Sequence, residues 1–556
     1  MRKSLLLGAA AVALAGITPA QAVPADFKAM ADAYLKSAFA ADQPGAAVIV
    51  TDDGRTVYAA GQGLADLDKK VPITPGTVFR LGSITKQFSA AVMLQLVAEG
   101  KVSLDDKLSK FFPDYPKPGA DATVAQLLNH TVGVQSYTSI PGWMGDEKNT
   151  ARPYTTDEMI ALFKDMPAPS KPGEKFQYNN SGYVLAGAVI EKVTGKPWHV
   201  NVEERIAKPL GLKTIRYGTI EESVPLMAKG YTETGGRQVP ARRIHMSVPH
   251  AAGALIGSVE DLAKWSHALH HGKVVRPDLY AKMIAPTALP DGKTEKYGFG
   301  LAQDEVRGRA AIRHGGGIFG FSTDAIYIPG EDVFVAVFTN SDDPVASEET
   351  LANRLAALAL GEPYPTLKEA KVDAAAIEPL LGVYADQRGE RRFFRRDGKL
   401  YTRRTGGSDL QVFAAGENRF FYGPDNLTWF EMRKDAAGKP VMAMHQNGAT
   451  KPELASYKGP LPPEPKAADV PRATLQTYVG SYKAPPGIVK VAFADDGSLT
   501  IQLGPQRPVP IKPVSATEFL LEGVDAKLSF KADGGKVTGL VVNQGGREMS
   551  ADRLPD

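Results

Sequence analysis

Three short runs in this 556-residue chain have the residue types and spacing for acyl transfer. Ser83-Ile84-Thr85-Lys86 is its only Ser-x-x-Lys, at the start of an apolar run reaching about Glu99. Residues three apart share a helix face, so a lysine amine one turn after a serine can hold or accept its hydroxyl proton. The serine amide, unpaired at a helix start, can face a developing oxyanion. Tyr178-Asn179-Asn180 is the only Tyr-x-Asn, in a polar turn before a helical pattern beginning near Gly182, a position that aims a phenol and an amide into a cleft. His314-Gly315-Gly316-Gly317 follows a strand-like run and precedes Ile318-Phe319-Gly320-Phe321. Glycines there let the backbone approach a substrate and leave an amide free to donate. His267, His270 and His271 end another helical run before Gly272; the sequence reads them as solvated histidines at the negative end of a helix, and no metal site is expected.

The elements that must position these groups follow from pattern. Val48–Val50 and Thr56–Ala59 flank Asp52-Asp53-Gly54-Arg55, and Thr323–Ile328 and Val333–Phe338 flank Pro329-Gly330-Glu331-Asp332. Both read as hairpins. Between them lie helical patterns over Ser83–Glu99, Gly182–Val193 and Val259–His270. Strands at both ends with helices between predict an α/β fold: one antiparallel sheet flanked by helices, with a helical subdomain.

After a lapse of periodicity near Gly361–Ala376 the pattern becomes strand and turn, and repeats. Leu381-Gly382-Val383-Tyr384 returns as Val479-Gly480-Ser481-Tyr482, Asp397-Gly398-Lys399-Leu400 as Asp496-Gly497-Ser498-Leu499, and Gln446-Asn447-Gly448 as Gln544-Gly545-Gly546. The constant offset of about 98 residues predicts two copies of a small antiparallel β-barrel or sandwich, neither with a nucleophile beside a base. The expected organisation is a signal peptide over 1–22, a hydrolase domain over 23–365, a linker over 366–377, a first β domain over 378–458, a proline-rich linker over 459–473 and a second β domain over 474–556.

Composition narrows the setting. Arg2 and Lys3, an apolar run from Leu5 to Ala15 and the closing Ala20-Gln21-Ala22 have the form of a cleaved secretory leader. A periplasmic or secreted protein without membrane insertion is expected. The chain has no cysteine, which excludes disulfides and thiol catalysis. Lys and Arg total 65 against 62 Asp and Glu, with no basic stripe, so nucleic acid is not an expected partner.

In order and separation, the three runs resemble those of the penicilloyl serine transferases, the family of class C β-lactamases, DD-peptidases, D-aminopeptidases and related esterases. The resemblance covers about residues 28 to 360. It extends to Phe79-Arg80-Leu81-Gly82, Leu127-Leu128-Asn129-His130-Thr131, Pro172-Gly173, Tyr297-Gly298-Phe299-Gly300 and Gly317–Phe321. It implies that Ser83 is the acylated nucleophile, Lys86 its proton partner and Tyr178 a proton relay. Asn180 would hold the substrate amide or the lysine, and the amides of Ser83 and Gly317, on the Gly316-Gly317 edge, would form the oxyanion hole. Whether Lys86 or Tyr178 is the base stays open. His314 stands where β-lactamases usually carry the lysine of Lys-Thr-Gly. A mostly neutral histidine is a poor anchor for a substrate carboxylate.

That His-x-Gly form, with two C-terminal β domains, looks more like the D-aminopeptidases. The implied activity is a serine hydrolase of D-aminopeptidase or DD-peptidase type, acting through an acyl-enzyme, without metal or organic cofactor, on small peptides, amides or esters, with D-amino-acid-containing ones as candidates. A class C-type β-lactamase or carboxylesterase is the alternative, and a non-catalytic binder of cell-wall peptides or β-lactams the alternative of another class. The oligomeric state is left open. His-Gly-Gly-Gly also has the letters of a lipase oxyanion loop, but the Gly-x-Ser-x-Gly of that fold is absent from the chain.

Overall fold

The computed structural model describes residues 23–218, 224–463, 465–485, 487–504 and 506–555; the expected leader over 1–22 lies outside them. The chain divides into two units between Tyr364 and Pro365.

The first unit is built on a six-stranded antiparallel sheet. Its strands are β1 (Ala46–Asp52), β2 (Arg55–Gln62), β3 (Ala302–Val306), β4 (Arg309–Ile318), β5 (Phe321–Ile328) and β6 (Val333–Thr339), in the order β3-β4-β5-β6-β1-β2. Every residue of β6, Val-Phe-Val-Ala-Val-Phe-Thr, is buried. Continuous burial rather than alternation means that both faces of this central strand are covered. Helix α1 (Phe27–Ala38) packs on β2, and α5 (Glu348–Ala359) packs on α1, β5 and β6. Helix α4 (Val259–His270) packs on β1 and β6.

The helical layer centres on α2 (Thr85–Ala98) and α3 (Asn180–Thr194), which pack on each other and on the one-turn helix His250–Gly253. All of α2 from Thr85 to Leu94 is buried, as befits a helix apolar on nearly every side. Leu255 N donates to Thr85 Oγ1 at 3.1 Å, and Ser89 Oγ donates to Ala251 O at 2.8 Å. These bonds fix the start of α2 against the 251–255 segment. Ser83 lies just outside α2, in a 3-10 turn over Gly82–Ile84. Helix α3 is entered through Asn179, whose Oδ1 accepts from Gly182 N at 3.1 Å. The glycines after His314 are the last part of β4, whose pairing with β5 runs unbroken through Gly316↔Thr323 to Ile318↔Phe321.

The second unit holds two closed eight-stranded antiparallel barrels. One runs from Gly382–Asp386 to Glu453–Gly459, the other from Gly480–Ala484 to Arg547–Arg553. Each has its own apolar core, around Tyr384, Phe393 and Phe430 in the first and around Tyr482, Phe519 and Phe530 in the second. The repeated Tyr384 and Tyr482 play one part twice: each hydroxyl donates to a carbonyl four residues earlier, Leu380 and Tyr478.

Candidate active site

Close backbone packing builds the floor of the site. Gly82 has φ +52°, and a Cβ there would lie 3.0 Å from Gly317 N and 3.1 Å from Gly316 C. A Cβ on Gly316 would lie 2.1 Å from Leu81 O and 3.0 Å from Ser83 N. Only glycine at both positions lets the end of β4 rest on the turn that carries Ser83. Thr323, opposite Gly316 in the ladder, locks this contact by donating from Oγ1 to Leu81 O at 3.0 Å.

Lys86 is fully buried. Its Nζ lies 2.9 Å from Ser83 Oγ, 2.9 Å from Asn180 Oδ1 and 2.8 Å from Ala252 O. The rings of Tyr178 and Tyr183 lie 4.8 and 5.4 Å from the same nitrogen. Burial holds its pKa well below the ordinary lysine value. An amine in that state keeps a lone pair able to accept the Ser83 proton. Asn180 in turn donates from Nδ2 to Thr138 Oγ1 at 3.2 Å, which fixes its oxygen toward the lysine.

Tyr178 is 41% exposed as a residue, and its hydroxyl is hydrogen-bonded to Ser83. Burial of that hydroxyl raises its pKa, against the lowering effect of the Ser83 hydrogen bond, so the phenol is a proton donor rather than a phenolate. A wall of rings holds it. His130 packs at 4.2 Å from the Tyr178 ring and 4.7 Å from that of Tyr297. Asn179 N donates to His130 Nδ1 at 3.0 Å, which leaves the proton on Nε2 of a neutral imidazole.

His314, which the sequence expectation makes a substrate-binding residue, packs beside Tyr178 and Tyr297. Its ring is buried, Nδ1 donates to Gly315 O at 2.5 Å, and Nε2 accepts from Tyr297 Oη at 2.8 Å. Burial, then the nearby Lys86, pushes its pKa down to about 3. Both nitrogens are occupied, so the ring supports the Tyr297–Tyr178 wall and has no polar atom free for a substrate.

Ser83, Asn180 and Gly317 line a cavity of about 340 Å³, with Tyr137, Phe319 and Phe321 among its walls. Among the described residues, the only charged side chain lining it is Asp342, whose Oδ2 accepts from Gly320 N at 2.9 Å. The structure thus gathers Ser83, Lys86, Tyr178, Asn180, Gly316 and Gly317 at one place. Sequence reasoning missed Asp342, Thr138 and the roles of His130 and Tyr297. The last two stood inside family-like blocks, which was the one available signal; Asp342 and Thr138 had none.

A serine, a buried amine and a phenol at the edge of an antiparallel sheet, beside a glycine strand, define a β-lactamase-like fold and site. The chain belongs to the Beta-lactamase family, whose sequence model matches residues 27–360. It is 26% identical over 359 residues to a D-aminopeptidase of Gluconobacter oxydans, a match covering 62% of this chain and 63% of that relative. The alignment therefore spans about three fifths of the relative's length. An octameric penicillin-binding protein homologue from Pyrococcus abyssi superposes with a TM-score of 0.55 at 27% identity, covering 78% of this chain and 99% of that one. A D-amino acid amidase from Ochrobactrum anthropi superposes with a TM-score of 0.52 at 27% identity, covering 60% and 97%.

Proposed function

We propose that this chain is a serine hydrolase that works through an acyl-enzyme on small amides, peptides or esters carrying a free amino group, D-aminoacyl amides among them. The observation that carries the catalytic reading is the buried Lys86 amine, 2.9 Å from Ser83 Oγ and held there by Asn180 and the Ala252 carbonyl. In the first half-reaction Ser83 Oγ attacks the substrate carbonyl carbon as its proton passes to the neutral Lys86 amine. The amides of Ser83 and Gly317 receive the oxyanion, each worth about 3 kcal/mol in comparable hydrolases. Collapse expels the amine or alcohol, which takes a proton from the Tyr178 hydroxyl, and Lys86 returns the serine proton to Tyr178. Water then attacks the acyl-serine along the same route reversed and releases the acid.

The substrate class rests on charge. The cavity offers one carboxylate, Asp342, and no cation among its described lining residues. A substrate ammonium finds a partner there, whereas the carboxylate of a penicillin finds none. The D-aminopeptidase and D-amino acid amidase relatives point the same way. The leader-like start supports a place in the periplasm or outside the cell, which fractionation of expressing cells would test.

The deciding experiment has two parts. Mass spectrometry after incubation with a fluorophosphonate should show one adduct on Ser83, absent in Ser83→Ala. Persistent lack of an adduct sinks the enzyme reading in favour of a non-catalytic binder. A panel of D-aminoacyl amides, D-Ala-D-Ala peptides, nitrophenyl esters and nitrocefin should then place the aminoacyl amides first. Faster turnover of nitrocefin would overturn the substrate class while leaving the mechanism intact.

A further inference from the structure

Of the three histidines at the end of α4, His271 is exposed and His267 and His270 are partly buried. His270 stacks on Tyr327 with ring centroids 3.9 Å apart, and its Nδ1 lies 2.6 Å from Tyr280 Oη. His267 and His271, one helical turn apart, face each other with centroids 4.1 Å apart. The β5–β6 turn brings Asp332 to them, with Oδ2 3.0 Å from His271 Nε2. One ligand atom from each of His267, His271 and Asp332 lies within 4.8 Å of the other two.

The hydrogen bonds around this trio orient its ligand atoms. His271 Nδ1 lies 2.8 Å from the His267 carbonyl oxygen, which can only accept, so the Nδ1 proton is committed there. That bond turns His271 Nε2 toward Asp332 Oδ2, 3.0 Å away. His267 Nδ1 is buried over Gly54 with no hydrogen-bond partner among the described residues. A metal ion accepts both imidazoles as neutral ligands and the carboxylate as the third. The supporting bonds match those of a metal centre: a backbone carbonyl holds the far nitrogen of His271, and Tyr327 Oη donates to Asp332 Oδ1 at 3.0 Å.

We propose that His267, His271 and Asp332 bind one divalent transition-metal ion, of which zinc fits best. Two imidazoles and a carboxylate are a zinc donor set, with water completing a tetrahedron. Asp53, on the neighbouring β1–β2 turn, adds negative charge, and Lys273 opposes it. The site is structural rather than catalytic. Strand β5 leaves the Ser83 cavity at Phe321 and ends at Ile328, close to the turn that bears Asp332. At about 3.3 Å per residue those eight residues span roughly 25 Å. The metal would clamp the C-terminal end of α4 to the hairpin turn at the far end of the sheet.

The test uses the untagged full-length chain, freed of metal with a chelator. Titration with zinc chloride at neutral pH should show one saturable site with a Kd of about 1 µM or tighter and a rise in Tm, while hydrolysis at Ser83 is the same with and without chelator. His267→Gln/His271→Gln should abolish both the binding heat and the Tm rise. Should that double variant not fold, Asp332→Asn should weaken binding at least about tenfold, and X-ray absorption of the zinc-loaded wild type should show two imidazole ligands. No saturable zinc binding, binding retained in the double variant, or fewer than two imidazoles at the metal would overturn the proposal.

Discussion

Lys86 Nζ lies 2.9 Å from Asn180 Oδ1, a hydrogen bond across 94 positions that joins the Ser-x-x-Lys turn to the Tyr-x-Asn turn. With the bonds to Ser83 and Ala252, every hydrogen a protonated amine could donate has an acceptor, and none of the three is a carboxylate. The amine is held in position without a countercharge that would keep it protonated. That combination is what a general base near neutral pH requires.

Turnover should therefore show an acid limb from Lys86. The rate constant kcat/KM rises as the amine loses its proton, with a midpoint well below the ordinary lysine value. Lys86→Arg, which stays charged, should lose about 10²–10⁴ in kcat across the whole range. A pH–rate profile from acid to alkaline buffers checks both; an arginine variant with substantial activity would remove Lys86 as base.

Tyr178→Phe keeps the ring against His130 and removes only the hydroxyl that reaches Ser83. Turnover should fall about 10²–10⁴-fold with little change in Tm. Substrates with good leaving groups, which need no protonation, should suffer less than amides.

Gly316→Ala puts a methyl group 2.1 Å from Leu81 O and 3.0 Å from Ser83 N. Neither backbone can yield without moving β4 away from the nucleophile. We expect a stability loss of about 1–3 kcal/mol together with slow labelling of Ser83, measured by thermal melts and fluorophosphonate kinetics.

Asp342→Asn retains an acceptor for Gly320 N and removes the cavity's negative charge. For aminoacyl amides kcat/KM should fall about 10–100-fold, whereas a neutral nitrophenyl ester should be hydrolysed at nearly the wild-type rate. Equal losses on both substrates would mean that Asp342 shapes the cavity without recognising an ammonium.

His314 binds its proton less tightly in the folded state, at about 3, than an unfolded histidine does at 6.5. Between those values the unfolded chain holds more protons, so stability falls as pH drops from 6.5 toward 3. The full swing from this one ring is on the order of 5 kcal/mol. His314→Gln, whose amide oxygen can still accept from Tyr297, should flatten that part of the profile in urea melts at several pH values. His250 and His270, also lowered to about 3 by burial, keep the rest of the acid sensitivity.

Much of this architecture was written in local pattern. The hairpins around Asp53-Gly54 and Pro329–Asp332, the helix over Val259–His270 and the duplicated barrels all follow from periodicity, turn chemistry and repetition, which are properties of neighbouring residues. The types of residue that would meet at the site were equally plain in Ser83, Lys86, Tyr178 and Asn180. Folding decided what those types become. Burial, which depends on the whole helical layer, lowers the pKa of Lys86; a phenol 17 positions upstream occupies Nε2 of His314. Asp342 and Asp332 acquire meaning only where the sheet brings them, one to the rim of the Ser83 cavity and one to a pair of histidines. Spacing along a chain reports which groups can share a helix or strand, whereas desolvation and long-range contact are properties of the packed molecule.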